Sequence, residues 1–310
     1  MNVKKFIETQ VEEIKKTIGD GKAISALSGG VDSSACTVLA HRALGSQLKS
    51  IFIDHGLMRA GEPQEVAKIF AGLGITVDIA DKKKEYFAAL KGKVDPEEKR
   101  KAFRYAFYNS FGKEVLKSKA RYLIQGTLAA DIIETQKGFK TQHNILEQIG
   151  IDPEKGFGFK VVEPIKELFK HEARLVAKEL GLPESIYNRM PFPGPALATR
   201  IIGEVTPERV DLVRAATVIV EEEVAVHKPF QAFAVLLEDK GTGIVGGKRS
   251  FGHIVIVRSV ESKDAMTAEP SPLPWDVLMK ISTRITTELP AVTRVAYELT
   301  PKPPSTIEYI

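Results

Sequence analysis

The chain has 310 residues, with 44 Lys and Arg against 40 Asp and Glu, a formal net charge of +4. This small surplus does not by itself indicate nucleic-acid binding, and the single cysteine, Cys36, excludes an intrachain disulfide and a multi-cysteine metal site. An apolar fraction of 43 % without a membrane-length apolar run is typical of a soluble globular protein, and the length allows two domains. Because the N-terminus leads into an amphipathic helix and not an apolar signal region, we expect a cytoplasmic protein.

The first elements surround a glycine-rich stretch. Apolar spacing predicts a helix over residues 3–18 and a short buried strand over residues 23–27. A second helix is predicted over residues 35–44 and stops at Gly45. Between that strand and that helix lie seven consecutive residues: Ser28, Gly29, Gly30, Val31, Asp32, Ser33 and Ser34. The stretch is therefore a strand-to-helix turn.

The chemistry of this turn points to a bound phosphate chain. Adjacent glycines let the backbone approach a ligand closely, and the start of the helix offers free N–H groups, to which serine hydroxyls are added. A carboxylate at position 32 suits bound phosphate only if a cation, usually Mg²⁺, lies between them. The turn is not a Walker A loop, because no lysine follows Gly30.

Strands and helices then alternate along the chain. Strands are predicted over residues 48–54, 75–80 and 121–125, a helix over 62–73, and a long helix from a capping Asp95-Pro96 start. This alternation predicts an α/β fold with a parallel, doubly wound sheet that is covered on both faces. Ligands of such sheets collect at the carboxyl ends of the strands. Five candidate residues lie at or just past such ends: Asp32, Asp54, Gly126, Thr127 and Asp131.

The middle of the chain separates two domains. Residues 135–160 lack clear periodicity, which favours a lid. The segment 161–164 and a predicted helix over 167–180 then close the first domain. The proline-rich stretch over residues 190–195 is interpreted as a hinge. We therefore predict one domain over residues 1–185 and a second over 186–310.

The second half has an α+β pattern. Helices are predicted over residues 206–227 and 274–288, and strands over 231–237, 254–260 and 292–299. Residues 241–246 match G-x-G-x-x-G, but strand-like sequence follows them where a dinucleotide site needs a helix. We interpret them as a connection between strands.

The seven-residue loop resembles the pyrophosphate-binding loop of ATP pyrophosphatases, which adenylate a carbonyl-type oxygen and release pyrophosphate. Segments along nearly the whole chain, in the family's order, resemble GMP synthetase; they lie at residues 53–59, 95–101, 125–127, 131–134, 163–169, 191–195 and 302–308. The resemblance covers the synthetase half only. It is to the separate ATP-pyrophosphatase subunit of archaea, whose ammonia comes from a partner glutaminase subunit.

The resemblance implies an N-type ATP pyrophosphatase fold, then a smaller dimerisation domain and hence a homodimer. It implies that XMP, ATP and ammonia give GMP, AMP and pyrophosphate. The implied ATP site comprises Ser28–Ser34, Asp54, Gly126 and Thr127. The implied catalytic residues are Asp32 and Lys166, and the implied Mg²⁺ ligands are Asp32 and Asp131. XMP is expected between the domains or across the dimer, and its implied ligands are Arg100, Gln231, Lys302, Ile307 and Glu308.

The sequence departs from the family's pattern at two places, and several alternatives to the predicted roles and function remain open. The family's lid usually carries two histidines where this chain has Gln142-His143, and the tail ends Glu308-Tyr309-Ile310 where relatives often have Glu-Trp-Glu. Asp131 and Glu134 could instead form a solvated helix face, Lys166 could be a surface lysine, and the tail could be a frayed end. Rival functions are an NAD synthetase-like amidating enzyme, a tRNA-thiolating pyrophosphatase, and a nucleotide-binding module without turnover.

Overall fold

Two compact units make up the fold, which is seen in a computed structural model that describes residues 1–129 and 159–310. The first unit comprises residues 1–54, 61–82 and the described part of 106–189; the second comprises residues 55–60, 83–105 and 190–310. The sequence analysis assigned residues 55–60 and 83–105 to the first domain. The division of the chain at 185/186 stays a prediction.

The described elements follow the alternation that the sequence predicts. The strands are β1 (Ala23–Leu27), β2 (Leu48–Asp54), β3 (Val77–Asp81), β4 (Tyr122–Ile124), β5 (Lys160–Val162), β6 (Gln231–Val245), β7 (Lys248–Glu261), β8 (Glu269–Pro270) and β9 (Val292–Tyr297). The helices are α1 (Val3–Ile18), α2 (Val31–Leu44), α3 (Glu62–Gly72), α4 (Lys83–Leu90), α5 (Pro96–Ser118), α6 (Lys170–Glu179), α7 (Glu184–Tyr187), α8 (Pro207–Val224) and α9 (Trp275–Glu288).

The first unit is built on a five-stranded sheet in the order β3-β2-β1-β4-β5, and all of its pairings are parallel. This confirms the predicted α/β class. The order reverses between β1 and β4, where Ala23 pairs with Tyr122. At such a switch point the loops after two neighbouring strands leave the same edge and open a crevice for a ligand.

Burial explains why β1 and α2 hold the loop between them firmly. In β1, Ala23, Ile24 and Leu27 are at most 4 % exposed, as expected of a strand covered on both faces. Helix α2 is buried along most of its length, including Ala35 and Leu39. The turn between these elements is therefore fixed by the core at both of its ends.

The second unit has the predicted α+β pattern. Strands β6 and β7 pair antiparallel, β8 pairs antiparallel with β7, and β9 runs parallel to β7. A buried cluster on this sheet contains Phe233, Val235, Val260, Ala268 and Ile307. The C-terminal segment therefore contributes to the core, and the frayed-end alternative for the tail is wrong.

Several boundaries differ from the sequence predictions, and two of these differences change the interpretation of a segment. The strand predicted to end at residue 237 continues to Val245, so residues 241–245 are strand and not a connection, and the turn lies at Gly246-Gly247. Helix α2 begins at Val31 and not at residue 35, so Asp32 lies in its first turn. Several residues named in the sequence predictions lie outside the described residues: Asp131, Glu134, Gln142-His143, and all but the last two residues of the predicted lid over 135–160.

Candidate active site

Side-chain hydroxyls hold the glycine loop in shape. The hydroxyls of Ser28 and Ser33 lie 3.0 Å apart, Ser33 Oγ accepts from the Ser28 N–H at 3.2 Å, and the same hydroxyl donates to Gly30 O at 3.1 Å. Gly29 has φ +75°, a backbone conformation that favours glycine. Gly30 caps α2 without a side chain, so the first N–H groups of the helix remain available to an anion.

A second loop meets the first at the switch point. At Gly126, after β4, an added Cβ would lie 2.8 Å from the Asp32 carbonyl carbon and 2.9 Å from the Ser33 nitrogen. Real Cβ atoms do not approach backbone this closely, so only glycine fits. The structure thus brings together two segments that the sequence analysis assigned to ATP, more than ninety positions apart.

We expect Gly126→Ala to reduce kcat/KM for ATP by roughly tenfold or more, because the methyl group must push the Asp32-Ser33 backbone out of place. Gly72→Ala is the matched control, since a Cβ there meets nothing within 4 Å. Steady-state kinetics with ATP varied would check this. Equal values of kcat/KM for ATP in the two variants would show that the close approach of Gly126 to the loop is not needed for ATP use.

Asp32 is the charged centre of the loop. Its Oδ2 accepts a hydrogen bond from Lys170 Nζ at 2.5 Å, and its Oδ1 is buried with no hydrogen-bond partner among the described residues. Lys170 is the first residue of α6, and the sequence analysis did not single it out. Lys166 lies exposed in the preceding segment and makes no side-chain hydrogen bond or ion pair with a described residue. The cation beside Asp32 is therefore Lys170.

The remaining ATP-site candidates lie at the ends of their strands as predicted. Thr127 Oγ1 donates to Glu163 Oε1 at 2.5 Å and accepts from Gln125 Nε2 at 3.2 Å. Glu163 lies just after β5, so this bond joins the loops that follow β4 and β5. Asp54 is 5 % exposed at the end of β2.

A partly buried ion pair contacts the glycine loop at Gly29. Arg189 Nη1 donates to Glu62 Oε1 at 2.6 Å and to Gly29 O at 3.3 Å, and the Glu62 side chain is 1 % exposed. An added Cβ at Gly29 would meet Glu62 Oε1 at 2.5 Å. Sequence reasoning missed this pair, because its partners are 127 positions apart and belong to no local motif.

Cys36 is a packed residue, as the sequence analysis interpreted it. It is buried in α2. Burial raises the pKa of its thiol well above the ordinary value, and the nearby carboxylates of Asp32 and Glu163 raise this pKa further. A thiol held neutral in this way is a poor nucleophile.

Two of the XMP candidates meet in the second unit. Gln231 Nε2 donates to Glu308 Oε1 at 2.5 Å. Arg200 also donates to both oxygens of the Glu308 carboxylate, from Nε at 3.0 Å and from Nη2 at 2.9 Å. Sequence reasoning did not select Arg200, since it lies 108 positions before its partner.

The other XMP candidates have separate contacts. Ile307 is 7 % exposed in the core cluster, and Lys302 Nζ donates to Ala265 O at 2.7 Å. Arg100 is on α5, where it pairs with Glu97 at 2.5 Å. Arg100 is thus not part of the hydrogen-bond network around Glu308.

Lys99, beside Arg100, is a buried lysine. It is 1 % exposed, and its Nζ donates to Ile201 O at 2.7 Å. Burial, and then the nearby Arg209 guanidinium, lower the pKa of Lys99 from 10.5 to about 8. Between these two values the folded protein holds fewer protons than the unfolded chain, so the lysine's contribution to stability rises with pH in that window.

We therefore expect the unfolding free energy of the wild type to rise relative to that of Lys99→Met between pH 8 and pH 10.5, by up to about 3 kcal/mol. Below pH 8 the cost of burying the charge is present in full, and above pH 10.5 the amine is neutral in both states. Denaturant unfolding at several pH values would measure this difference. A constant difference across the window would contradict the lowered pKa.

The described residues contain neither a cluster of metal-ligating side chains nor a membrane-spanning helix. Among residues 1–129 and 159–310 no group of three or more His, Cys, Asp or Glu side chains could hold a metal ion. Within the same ranges no helix is both long enough and apolar enough to cross a membrane.

Comparison with known proteins gives matches over the whole chain. Residues 1–195 match the family model described as NAD synthase, and residues 219–309 match the one described as GMP synthase C terminal domain. The B subunit of the glutamine-hydrolyzing GMP synthase of Archaeoglobus fulgidus is 53 % identical over 100 % of both chains. The proteins of that name from Methanopyrus kandleri (49 %; 99 % of this chain and 98 % of the relative) and Pyrococcus furiosus (52 %; 98 % and 97 %) are also similar.

The chain is an ATP-using enzyme of the ATP pyrophosphatase class. This class is defined by the parallel sheet, the serine–glycine loop at its switch point and the NAD synthase match. The relatives that are about 50 % identical over nearly their full length identify the family within this class. The chain belongs to the family formed by the B subunits of glutamine-hydrolyzing GMP synthases, and it is a ligase. This confirms the predicted family, the predicted fold class and the predicted use of ATP.

Proposed function

We propose that the chain converts XMP, ATP and ammonia into GMP, AMP and pyrophosphate. The C2 oxygen of the xanthine attacks the α-phosphorus of ATP, and pyrophosphate leaves. Ammonia then attacks C2, and the oxygen departs with AMP. The observation that carries the proposal is full-length similarity to the B subunits of GMP synthases, and the position of the glycine loop at the switch point of the sheet supports it. The adenylation step is needed because the C2 oxygen of xanthine is by itself a poor leaving group.

In this proposal the β- and γ-phosphates lie in the loop of Ser28–Ser34. The free N–H groups at the start of α2 and the serine hydroxyls bind phosphate oxygens. The ammonium of Lys170 is within reach of the same site, since it contacts Asp32. It is positioned to move from the carboxylate to the phosphates as negative charge develops on the leaving pyrophosphate. Lys166, which lies four residues earlier in the turn before α6, stays a second candidate.

The residues around Asp32 fit Mg²⁺. The Oδ1 atom of Asp32 is buried without a hydrogen-bond partner among the described residues, and a carboxylate oxygen is a hard ligand. Mg²⁺ is commonly held by one or two carboxylates plus substrate phosphates. When bound, the ion would neutralise charge on the phosphates as pyrophosphate leaves. Asp131 stays the proposed second ligand.

We assign XMP to the second unit. Gln231 and Glu308 offer an amide and a carboxylate for the purine or ribose, Ile307 offers an apolar surface, and Lys302 and Arg100 are cations for the nucleotide phosphate. Lys302 and Arg100 would exchange their present partners, Ala265 O and Glu97, for that phosphate. The arrangement is supported by the Gln231–Glu308 hydrogen bond, which joins two candidates 77 positions apart.

The relatives are named as one subunit of a glutamine-hydrolyzing enzyme, which implies that those proteins act with a glutamine amidotransferase subunit. We propose the same kind of partner as the ammonia source here, a homodimer formed through residues 186–310, and a cytoplasmic location.

The test uses the purified chain with ATP, Mg²⁺, XMP and ammonium, and follows AMP and GMP by chromatography. XMP-dependent AMP and GMP in equal amounts are expected. The NAD synthase match over residues 1–195 makes nicotinate adenine dinucleotide the natural competing substrate. AMP formation with that dinucleotide and none with XMP would overturn the proposal in favour of an NAD synthetase-like activity.

A further inference from the structure

Arg200 occupies an unusual position for a charged side chain. It ends a short 3₁₀ turn (Ala196–Arg200) and is 1 % exposed. Its guanidinium carbon lies over two aromatic rings, 4.9 Å from the ring centre of Phe192 and 4.0 Å from that of Phe233. These cation–π contacts hold the guanidinium, whose N–H donors lie along its planar edge.

That edge faces Glu308. The bonds from Arg200 Nε and Nη2 form a bidentate pair, the geometry that fixes a carboxylate in both position and orientation. Gln231 Nε2 also donates to Oε1. Thr199 Oγ1 lies 3.3 Å from Oε2, but its single proton has a shorter bond, of 3.0 Å, to Ala196 O. Three N–H donors therefore hold the carboxylate, which has about four lone-pair sites.

The tail has a second, independent anchor. Arg258 is fully buried and donates to Thr300 O at 2.6 Å, to Ser305 Oγ at 3.1 Å and to Thr306 O at 3.3 Å. The path of the tail up to residue 306 is therefore fixed without Arg200. The bonds of Arg200 act on the side chain of one residue, Glu308.

We propose that Arg200 is a positioning residue for XMP, which holds the Glu308 carboxylate in the orientation that receives the nucleotide. A fixed carboxylate binds without the loss of side-chain freedom that a mobile one would suffer. A ligand N–H group bonds to Glu308 at its remaining lone-pair site or in place of the Gln231 donor, while the two Arg200 bonds persist. This inference rests on the proposed function, in which Glu308 contacts XMP.

The test compares Arg200→Lys with Arg284→Lys in the full chain, with ammonium as nitrogen donor. Arg200→Lys keeps the charge but loses the planar fork. It is expected to raise KM for XMP tenfold or more and to leave KM for ATP within twofold. Arg284→Lys disturbs ion pairs of the same unit that involve no XMP candidate, and it is expected to leave both KM values within twofold. A similar rise of KM for XMP in both variants, or an unchanged KM for XMP in Arg200→Lys, would overturn the proposal.

A double variant tests whether Arg200 acts through Glu308. Arg200→Lys combined with Glu308→Gln is expected to raise KM for XMP no further than Glu308→Gln alone. Independent, multiplying effects would contradict this. If Arg200→Lys does not fold, Phe192→Leu serves instead, since it removes one stacking ring and keeps the fork; it is expected to raise KM for XMP about threefold, and no rise would count against the proposal.

The outcomes separate this inference from the proposed function. If the wild type forms no AMP with XMP, the proposed function fails and the inference fails with it. If the wild type is active and Glu308→Gln raises KM for XMP, but Arg200→Lys does not, the proposed function stands and only the role of Arg200 is wrong.

Discussion

Asp32→Asn is expected to reduce pyrophosphate release by about a hundredfold or more, because the amide cannot replace a charged ligand beside the phosphates. The reason lies in the two oxygens of Asp32: one is paired with Lys170, and the other is buried without a partner among the described residues. Both interactions need the negative charge. KM for XMP should change little, since the XMP candidates lie in the second unit. The measurement is XMP-dependent pyrophosphate release at saturating ATP and Mg²⁺.

The control for this prediction is Asp20→Asn, which removes an exposed carboxylate from the same unit. Its turnover should equal that of the wild type. A Mg²⁺ titration adds a second readout, since a lost ligand should raise the Mg²⁺ concentration that gives half-maximal activity. Near-normal turnover and an unchanged Mg²⁺ requirement in Asp32→Asn would exclude Asp32 from the reaction.

Removing residues 302–310 is expected to raise the XMP concentration for half-maximal activity by about a hundredfold, while ATP binding persists. The deletion takes away three XMP candidates at once, Lys302, Ile307 and Glu308. It also removes Ile307 from the core cluster, so the second unit should lose stability. ATP binding, measured by calorimetry, reports on the first unit and shows whether the variant is still folded there.

A point substitution separates substrate binding from stability. Lys302→Met should raise KM for XMP roughly tenfold if its ammonium meets the nucleotide phosphate. Lys263→Met removes an exposed lysine from a nearby loop and serves as the control. An XMP requirement that is unchanged by Lys302→Met and by the deletion would leave the tail with a purely structural role.

Features with a local pattern could be predicted from the sequence. A loop for phosphate was predicted from three neighbouring features: the buried run of β1, the paired glycines and the helix that follows. The parallel sheet was predicted from the alternation of strands and helices. The carboxyl ends of β1, β2 and β4 then placed Asp32, Asp54 and Gly126 at one edge, because parallel strands of known order end on the same side.

Long-range pairs could not be predicted in this way. Lys166 and Lys170 are only four residues apart, and the sequence does not distinguish which of them reaches Asp32. The folded chain shows that it is Lys170, 138 positions away. The burial of Arg200 and the ion pair between Arg189 and Glu62 could not be predicted for the same reason. Charged side chains are mostly exposed, and the sequence alone does not mark the few that become buried. The hairpin of β6 and β7 was misjudged because glycines in a strand resemble a loop.

The central claim is that the C2 oxygen of XMP is adenylated, and isotope transfer tests this most directly. XMP carrying ¹⁸O at C2 is incubated with the wild-type chain, ATP, Mg²⁺ and ammonium, and the products are analysed by mass spectrometry. The account predicts one ¹⁸O atom in the phosphate of each AMP and none in pyrophosphate. AMP without ¹⁸O, formed together with GMP, would show that the oxygen leaves by another route and would contradict the account.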